Sequence, residues 1–135
     1  MREIKFRLWD LDNQKMVKNI SFDFYLTWDP CIGNEGKLIP FSNHECIIMQ
    51  YTGKKDKNGV EIYEGDIVEN RYCGKVYEIV WDNESSTWSQ KIDNNYRSFF
   101  MDWAKDKKSE HNIEIIGNIY ENTELLSKGI KPKTI

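Results

Sequence analysis

The sequence predicts a mainly β protein, on three observations. Turn-forming residues are concentrated in one stretch, residues 49–68, and short segments of alternating apolar and polar residues lie on both sides of it. Aromatic residues make up 13% of the chain, and aromatic side chains favour strands. The length of 135 residues suits a single domain with one hydrophobic core.

The N-terminal segment predicts a β meander. Ile4, Phe6 and Leu8 alternate with more polar neighbours, which indicates a strand with one apolar face. A turn-rich stretch follows, and residues 15–17 can return as a second strand. Residues 20–24 alternate again and predict a third strand.

Residues 27–46 interrupt this pattern, because Pro30, Gly33, Gly36 and Pro40 punctuate them. The segment is long for a structureless loop in a small domain. It predicts either a short edge strand at residues 36–39 or a mobile flap.

The central stretch predicts two short strands between three turns. A buried strand at residues 46–51 leads to Gly53, where we expect a first turn. Asn58-Gly59 is a strong signal for a type I′ hairpin, which needs positive φ at both central residues. Gly65-Asp66 predicts a third turn before the strand that starts at Ile67.

The C-terminal half predicts a hairpin and a closing strand. Residues 75–81 and 87–92 are the paired strands, with a polar loop at residues 82–86. Residues 96–108 are ambiguous, and the spacing of their aromatic residues is compatible with a short helix. Residues 113–116 predict the last strand, ended by a turn at Gly117-Asn118. Asn122 is the predicted N-cap of a helical turn at residues 123–127.

Four blocks of this sequence resemble the YopX family of phage and prophage proteins. They are REIKFRLWD at residues 2–10, MQYTGKKDKNGVEIYEGDIV at 49–68, the strand end IVWD at 79–82, and EIIGNIYENTELL at 114–126. The second and fourth blocks are long and specific. Residues 21–45 and 85–111 match no block.

The resemblance implies an SH3-like barrel or roll as the core of a mainly β protein encoded by a phage or prophage. It implies one domain over residues 1–128, with a variable flap at about 27–46 and a barrel core at about 47–120; a basic tail covers 129–135. No catalytic or cofactor-binding residue is known for this family. We therefore expect no enzyme activity, no cofactor and no metal.

The charge and composition of the chain indicate which kinds of partner and which cellular compartment to expect. The 19 Lys and Arg residues are outnumbered by 22 Asp and Glu residues, giving a net charge of -3. This balance disfavours a dedicated nucleic-acid-binding protein but leaves room for a local basic patch. The charged N-terminus does not resemble a signal peptide, no apolar run could span a membrane, and the three cysteines are an odd number, so we expect the bacterial cytoplasm.

The acidic residues of the central stretch raise the question of whether it binds calcium. In the register that places Gly59 at the invariant glycine of an EF-hand, Lys54 falls at the first ligand position and Gly65 at the bidentate twelfth position. Both essential ligands are therefore missing. We expect the polar side chains of this stretch to cap backbone amides of a solvated turn; they are Asp56, Asn58, Glu61, Glu64 and Asp66.

The second candidate site consists of cysteine and histidine residues. His44, Cys46, Cys73 and His111 contain the atoms of a zinc site or a Cys–His nucleophile, but their spacing matches no zinc template. A catalytic cysteine also needs a base within hydrogen-bond reach. We interpret the cysteines as small buried hydrophobic residues.

A candidate binding surface follows from interleaved basic and aromatic residues at Arg71, Tyr72, Lys75 and Tyr77, with Trp28 contributed by the flap. This pattern is typical of proteins that bind single-stranded nucleic acid. The alternative is that the rings, like those of Trp9, Trp81, Trp88 and Trp103, belong to the core and that the basic stems shield them.

We therefore expect an accessory protein that acts as a non-enzymatic binding module for a phage or host protein. The second hypothesis is a nucleic-acid-binding domain that uses Arg71, Lys75 and nearby aromatic residues. Self-association into a homo-oligomer is a separate hypothesis, which a light-scattering mass equal to one chain would dismiss.

Overall fold

The computed structural model describes residues 3–24, 30–34, 37–40, 45–71, 74–98 and 113–126. Most of these residues lie in strands, which confirms the mainly β prediction. Backbone contacts divide the chain into two units, Met1–Tyr51 and Thr52–Ile135.

Twelve strands are present in the described residues: β1 (Phe6–Asp10), β2 (Lys15–Val17), β3 (Ile20–Phe24), β4 (Pro30–Asn34), β5 (Lys37–Pro40), β6 (Cys46–Lys55), β7 (Glu61–Tyr63), β8 (Asp66–Asn70), β9 (Lys75–Asp82), β10 (Thr87–Ile92), β11 (Asn95–Ser98) and β12 (Ile113–Asn118). They form three sheets, with the orders β2-β1-β6-β7, β3-β4-β5 and β11-β10-β9-β8-β12. All strand pairs with a defined register are antiparallel.

The predicted N-terminal meander is wrong beyond its first hairpin. β1 and β2 pair as expected, but the other neighbour of β1 is β6, and β3 pairs with β4. β1 also lacks a single apolar face, because Arg7 and Leu8 point in opposite directions and are both buried, whereas Ile4 is exposed. Because β1 is buried on both faces, its alternation cannot be read as inside and outside.

The region expected to be an edge strand or a flap contains two strands. β5 confirms the edge-strand alternative, since it lies at the end of the order β3-β4-β5. β4 was missed because Pro30 and Gly33 read as loop residues. Pro30 is the first residue of its strand and Pro40 lies on the edge strand, two positions where proline is tolerated in a sheet.

Two turns of the central stretch differ from the prediction. Gly53 does not close a turn; it lies within β6 with a φ of 86°. The hairpin between β6 and β7 has positive φ at Gly59 (79°) but not at Asn58. Gly59 N donates to Asp56 O at 3.0 Å and Asp56 N to Val60 O at 2.8 Å, which defines a type I turn followed by a left-handed glycine rather than type I′.

The five-stranded sheet of the second unit carries the hydrophobic core. Ile62, Val68, Tyr77, Ile79 and Ile113 form a buried cluster, against which Trp88, Ile92 and Ile115 pack. The register places Val68 opposite Tyr77 and Ile115 opposite Val68, so these side chains share one face of the sheet. The predicted strands at 75–81 and 87–92 are confirmed by β9 and β10.

A buried polar pair shows that this sheet is strongly curved. Asn70 of β8 donates to Gln90 of β10 at 3.2 Å, and both side chains are almost fully buried. On β9, the partner of Asn70 is Lys75 and the partner of Gln90 is Ile79. In a flat sheet, positions four residues and two strands apart lie about 16 Å apart, beyond side-chain reach. The sheet therefore curls so that β8 and β10 face each other across its interior.

Two predictions near the C-terminus need correction. Residues 96–98 belong to strand β11 rather than to a helix, and residues 99–108 lie outside the described residues. Gly117 and Asn118 are the last residues of β12 instead of a turn. The register between β8 and β12 shifts between Ile115 and Gly117, which is a β-bulge.

A helical turn at residues 124–126 confirms the predicted short helix. Asn122 does not cap it with its side chain. Its Oδ1 instead accepts a hydrogen bond from Asn118 N at 3.2 Å, and Gly117 leaves room for that contact. In the part of the chain that the structure describes, no helix has the length and apolar character to cross a membrane. The basic tail at 129–135 lies outside it.

Candidate functional site

The candidate site lies at the end of the curved sheet where β8 turns into β9. Asn70 pairs with Lys75, and Gly74 N donates to Asn70 O at 2.7 Å, so Arg71 and Lys75 flank one tight turn. Gly74 supplies the positive φ of 71° that the turn requires. Both basic side chains are exposed.

The β6–β7 turn is docked against the edge of β12 at the same end. Lys57 N donates to Ile113 O at 2.9 Å, and Asp56 Oδ2 accepts from Ile115 N at 3.0 Å. The backbone groups of Ile113 and Ile115 used here are those on the side of β12 away from β8. The turn therefore covers the free edge of the sheet and places Lys57 and Asn58 next to Glu114.

The carboxylate of Glu114 contacts hydrogen-bond donors on side chains from both turns. Its Oε1 lies 2.8 Å from Arg71 Nη2 and 3.3 Å from Lys57 Nζ, and its Oε2 lies 3.4 Å from Asn58 Nδ2. The hydrogen bond from Lys57 and the charges of Lys57 and Arg71 hold the pKa of Glu114 below its ordinary value. Arg71 Nε also lies 3.7 Å from Glu69. The cluster formed by Arg71, Lys57, Asn58 and Glu114 is named the Glu114 cluster below.

The predicted binding surface is only partly assembled. Arg71 and Lys75 lie in the same turn, but Tyr77 is 5% exposed and belongs to the hydrophobic core, so its ring cannot stack on a ligand. Tyr72 and Trp28 lie outside the described residues. Sequence reasoning missed Lys57 and Glu114. Their proximity depends on a hairpin turn reaching β12, and sequence spacing carries no signal for that contact.

An exposed aromatic pair lies at the opposite end of β9. Trp81 and Trp88 are directly opposed on β9 and β10 and make an edge-to-face contact, with ring centroids 5.1 Å apart. Trp81 is 43% exposed, although it shares a face with buried Ile79. The adjoining loop is acidic, with Asp82 and Glu84. Hydrogen bonds, first from the Ser85 hydroxyl and then from backbone amides, lower the pKa of Asp82.

Two of the five polar residues singled out in the central stretch, Asp56 and Asp66, cap backbone amides, and both are buried rather than solvated. Asp56 Oδ1 accepts from Asn58 N and Val60 N at 2.8 and 2.9 Å, and its Oδ2 accepts from Ile115 N. Asp66 Oδ2 accepts from Tyr63 N at 2.8 Å. Within the described ranges, no group of three or more potential metal ligands comes together.

The cysteine–histidine candidates are represented by Cys46 alone, since His44, Cys73 and His111 lie outside the described residues. Burial, followed by the negative charge of Asp10, raises the pKa of the Cys46 thiol. A raised pKa favours the thiol over the nucleophilic thiolate. This environment is the opposite of that of an activated cysteine.

The C-terminal sequence block makes hydrogen bonds that hold its own backbone and join it to the central block. Asn118 Oδ1 accepts from Tyr120 N and Glu121 N at 3.0 and 2.9 Å, and Ile119 N donates to Gly65 O at 2.9 Å. The central block and the C-terminal block are thus joined at Asp56–Ile115 and at Gly65–Ile119. These hydrogen bonds give Asp56, Gly65 and Asn118 a structural part in the fold.

Comparison with known proteins identifies the family of this fold. The family model described as YopX protein matches residues 5–127. The crystal structure of protein EF1440 from Enterococcus faecalis is similar at a TM-score of 0.57 and 28% identity, covering 93% of this chain and 99% of that chain.

The crystal structure of protein yopX from Bacillus subtilis is similar in fold, with a TM-score of 0.56 and 21% identity over 93% of this chain and 98% of that one. The search of curated proteins found no match. The family model spans nearly the whole chain, in agreement with the four sequence blocks, and the protein belongs to the YopX family.

Proposed function

We propose that this protein is a non-enzymatic binding module of a phage or prophage, built on an SH3-like barrel and acting on a protein partner in the bacterial cytoplasm. The curled antiparallel sheet, with Asn70 and Gln90 meeting across its interior, supports the barrel. Membership of the YopX family supports the phage origin.

The observation that carries the proposed binding role is the exposure of Trp81. An indole that is 43% exposed and held edge-to-face by Trp88 is a pre-oriented apolar anchor. Tryptophan is enriched among the residues that dominate binding energy at protein interfaces. The acidic loop beside it favours a partner with a basic rim around an apolar pocket.

Replacing Trp81 tests this function. We expect Trp81→Ala to abolish capture of the protein partner from a nuclease-treated lysate of the phage-carrying host, while the unfolding temperature changes little. Tyr96→Ala is the matched control, since Tyr96 is also an exposed aromatic (51%) but lies on the opposite face of the sheet. Equal capture by wild type and Trp81→Ala would rule out this surface.

Nucleic-acid binding is the second candidate function, and the grouping of Arg71, Lys75 and Lys57 favours it. Three cations from two turns lie in this region, beside the carboxylates of Glu69 and Glu114, on a chain of net charge -3. The burial of Tyr77 removes base stacking at that position. The chemistry that remains is contact with backbone phosphates, which does not depend on sequence.

A further inference from the structure

The donors of the Glu114 cluster are arranged as a receptor for an oxyanion. A guanidinium, an ammonium and an amide N–H converge on one carboxylate, from distances of 2.8, 3.3 and 3.4 Å. Carboxylate and phosphate accept the same hydrogen bonds from these groups, and arginine recognises both. The carboxylate therefore occupies a position that suits a phosphate oxygen.

The two turns that carry the donors are held by hydrogen bonds to backbone amides that do not involve the Glu114 side chain. Asp56 holds the β6–β7 turn through three backbone amides, and Lys57 N is bonded to Ile113 O. The β8–β9 turn is closed by Gly74 N and Asn70 O. Removing the Glu114 carboxylate leaves both turns in place, so the donors would remain pre-organised for another anion.

The contacts to Glu114 can be exchanged. The side chain of Arg71 is 52% exposed and that of Glu114 27% exposed, so water and ligands reach the pair. Solvent-exposed ion pairs are weak. Lys75 is exposed across the same turn and offers a second contact to a neighbouring phosphate.

We propose that Glu114 is an internal substitute for a nucleic-acid phosphate: its carboxylate occupies the donor site of Arg71, Lys57 and Asn58 in the free protein and gives it up when the backbone of a single-stranded nucleic acid binds. This inference rests on the second candidate function. It makes Glu114 a regulatory residue, because its negative charge lowers the affinity for nucleic acid and so limits weak, non-specific association.

Glu114→Gln tests the inference, with a fluorescein-labelled thymidine oligonucleotide as the probe in an anisotropy titration. Because an exposed ion pair no longer competes, we expect the variant to bind about two- to fivefold more tightly than wild type. Its log–log salt dependence should be similar to that of wild type, because the same cations contact phosphates in both complexes once Glu114 has been displaced. Glu84→Gln is the control: it removes one charge from the exposed loop at the other end of β9 and should leave affinity nearly unchanged.

Each outcome separates this inference from the function on which it rests. Binding by wild type with no gain in Glu114→Gln, or an equal gain in Glu84→Gln, overturns the role of Glu114 and leaves nucleic-acid binding standing. No binding by either protein at low salt overturns both. Arg71→Gln in the Glu114→Gln background should remove most of the gain, which a general charge effect would not predict.

A competition experiment distinguishes a strand from a free ion. Inorganic phosphate that displaces the oligonucleotide no better than chloride at equal ionic strength supports recognition of a strand. Displacement by phosphate at much lower ionic strength would overturn the assignment to nucleic acid. Circular dichroism of each variant confirms that the fold is retained.

Discussion

Single residues of this fold are specified by close contacts that the sequence does not reveal. Gly117 looks like a turn glycine, yet it lies in β12 and is required for space. A Cβ built there would lie 2.6 Å from Asn122 Oδ1 and 2.8 Å from Asn122 Cβ and Cγ. The same asparagine holds Asn118 N, so residues 117–122 form one packed unit.

We predict that Gly117→Ala destabilises the protein by about 1–3 kcal/mol, because the added methyl group overpacks the contact with Asn122. Chemical denaturation measures the change. Asn122→Ala and the double variant complete a double-mutant cycle. The alanine at position 117 should cost clearly less once Asn122 is truncated; an equal cost in both backgrounds would contradict the clash as the cause.

Glu78 shows how a charged residue is constrained within an element. It lies on β9 directly opposite Lys91 of β10, and it is partly buried. Burial raises its pKa, with a further contribution from Glu64, while Lys91 opposes the shift. A carboxyl whose pKa is raised on folding costs stability when it ionises. That cost develops as the pH rises from the unfolded pKa to the folded pKa, and it is complete above the folded pKa.

We predict that Glu78→Gln raises the unfolding temperature at neutral pH, because the amide carries no charge to desolvate. The advantage should shrink as the pH falls through the raised pKa of folded Glu78, and it should be lost below the unfolded value of about 4.5. Thermal unfolding of both proteins between acid and neutral pH measures this. Glu84→Gln, in the exposed loop, should show no comparable pH-dependent advantage. A destabilised Glu78→Gln at neutral pH would mean that the pairing with Lys91 outweighs the cost of burial.

Strands with strong local signals were predicted well. β9 and β10 follow from β-rich segments around a polar loop, and the structure confirms both. β4 was missed because its proline and glycine were read without knowing that proline would begin a strand. The turn at Asn58-Gly59 was located correctly but assigned the wrong type, since the capping carboxylate of Asp56 favours a wider turn.

The candidate site was harder to predict because it is built from three distant segments. Arg71 and Lys75 were predicted from their spacing; the structure places them at the same turn, where Lys75 pairs with Asn70 and Arg71 contacts Glu69. Lys57 and Glu114 join them only because the β6–β7 turn covers the edge of β12. For Tyr77 the structure supports the alternative in which the ring belongs to the core, a choice that strand alternation alone does not make.

On the scale of the whole molecule, a negative net charge is combined with a basic patch at one end of the curved sheet. The chain carries a net charge of -3, so binding of a polyanion outside the patch is opposed by repulsion. Lys57, Arg71 and Lys75 are the described cations grouped around the β8–β9 turn. They set an upper limit on the number of phosphates neutralised.

We predict that the affinity of the wild-type protein for a single strand depends on salt with a log–log slope no steeper than about -2, because three cations contribute about 0.7 each. Titrations between about 50 and 200 mM salt measure the slope. Lys131→Gln with Lys133→Gln, in the tail, should leave it unchanged. A much steeper slope, or one that depends on the tail, would place the contacts elsewhere.

The contact between the β6–β7 turn and the edge of β12 affects how the chain folds during synthesis on the ribosome. The hydrogen bond between Asp56 and Ile115 joins residues 59 positions apart, and Ile113 completes the core. Until residues 113–118 emerge, one edge of β8 has no neighbour and the docking turn has nothing to cover. The second unit therefore completes its fold only after residues 113–118 have left the ribosome, and a product that stops before β12 exposes a bare strand edge to chaperones and proteases.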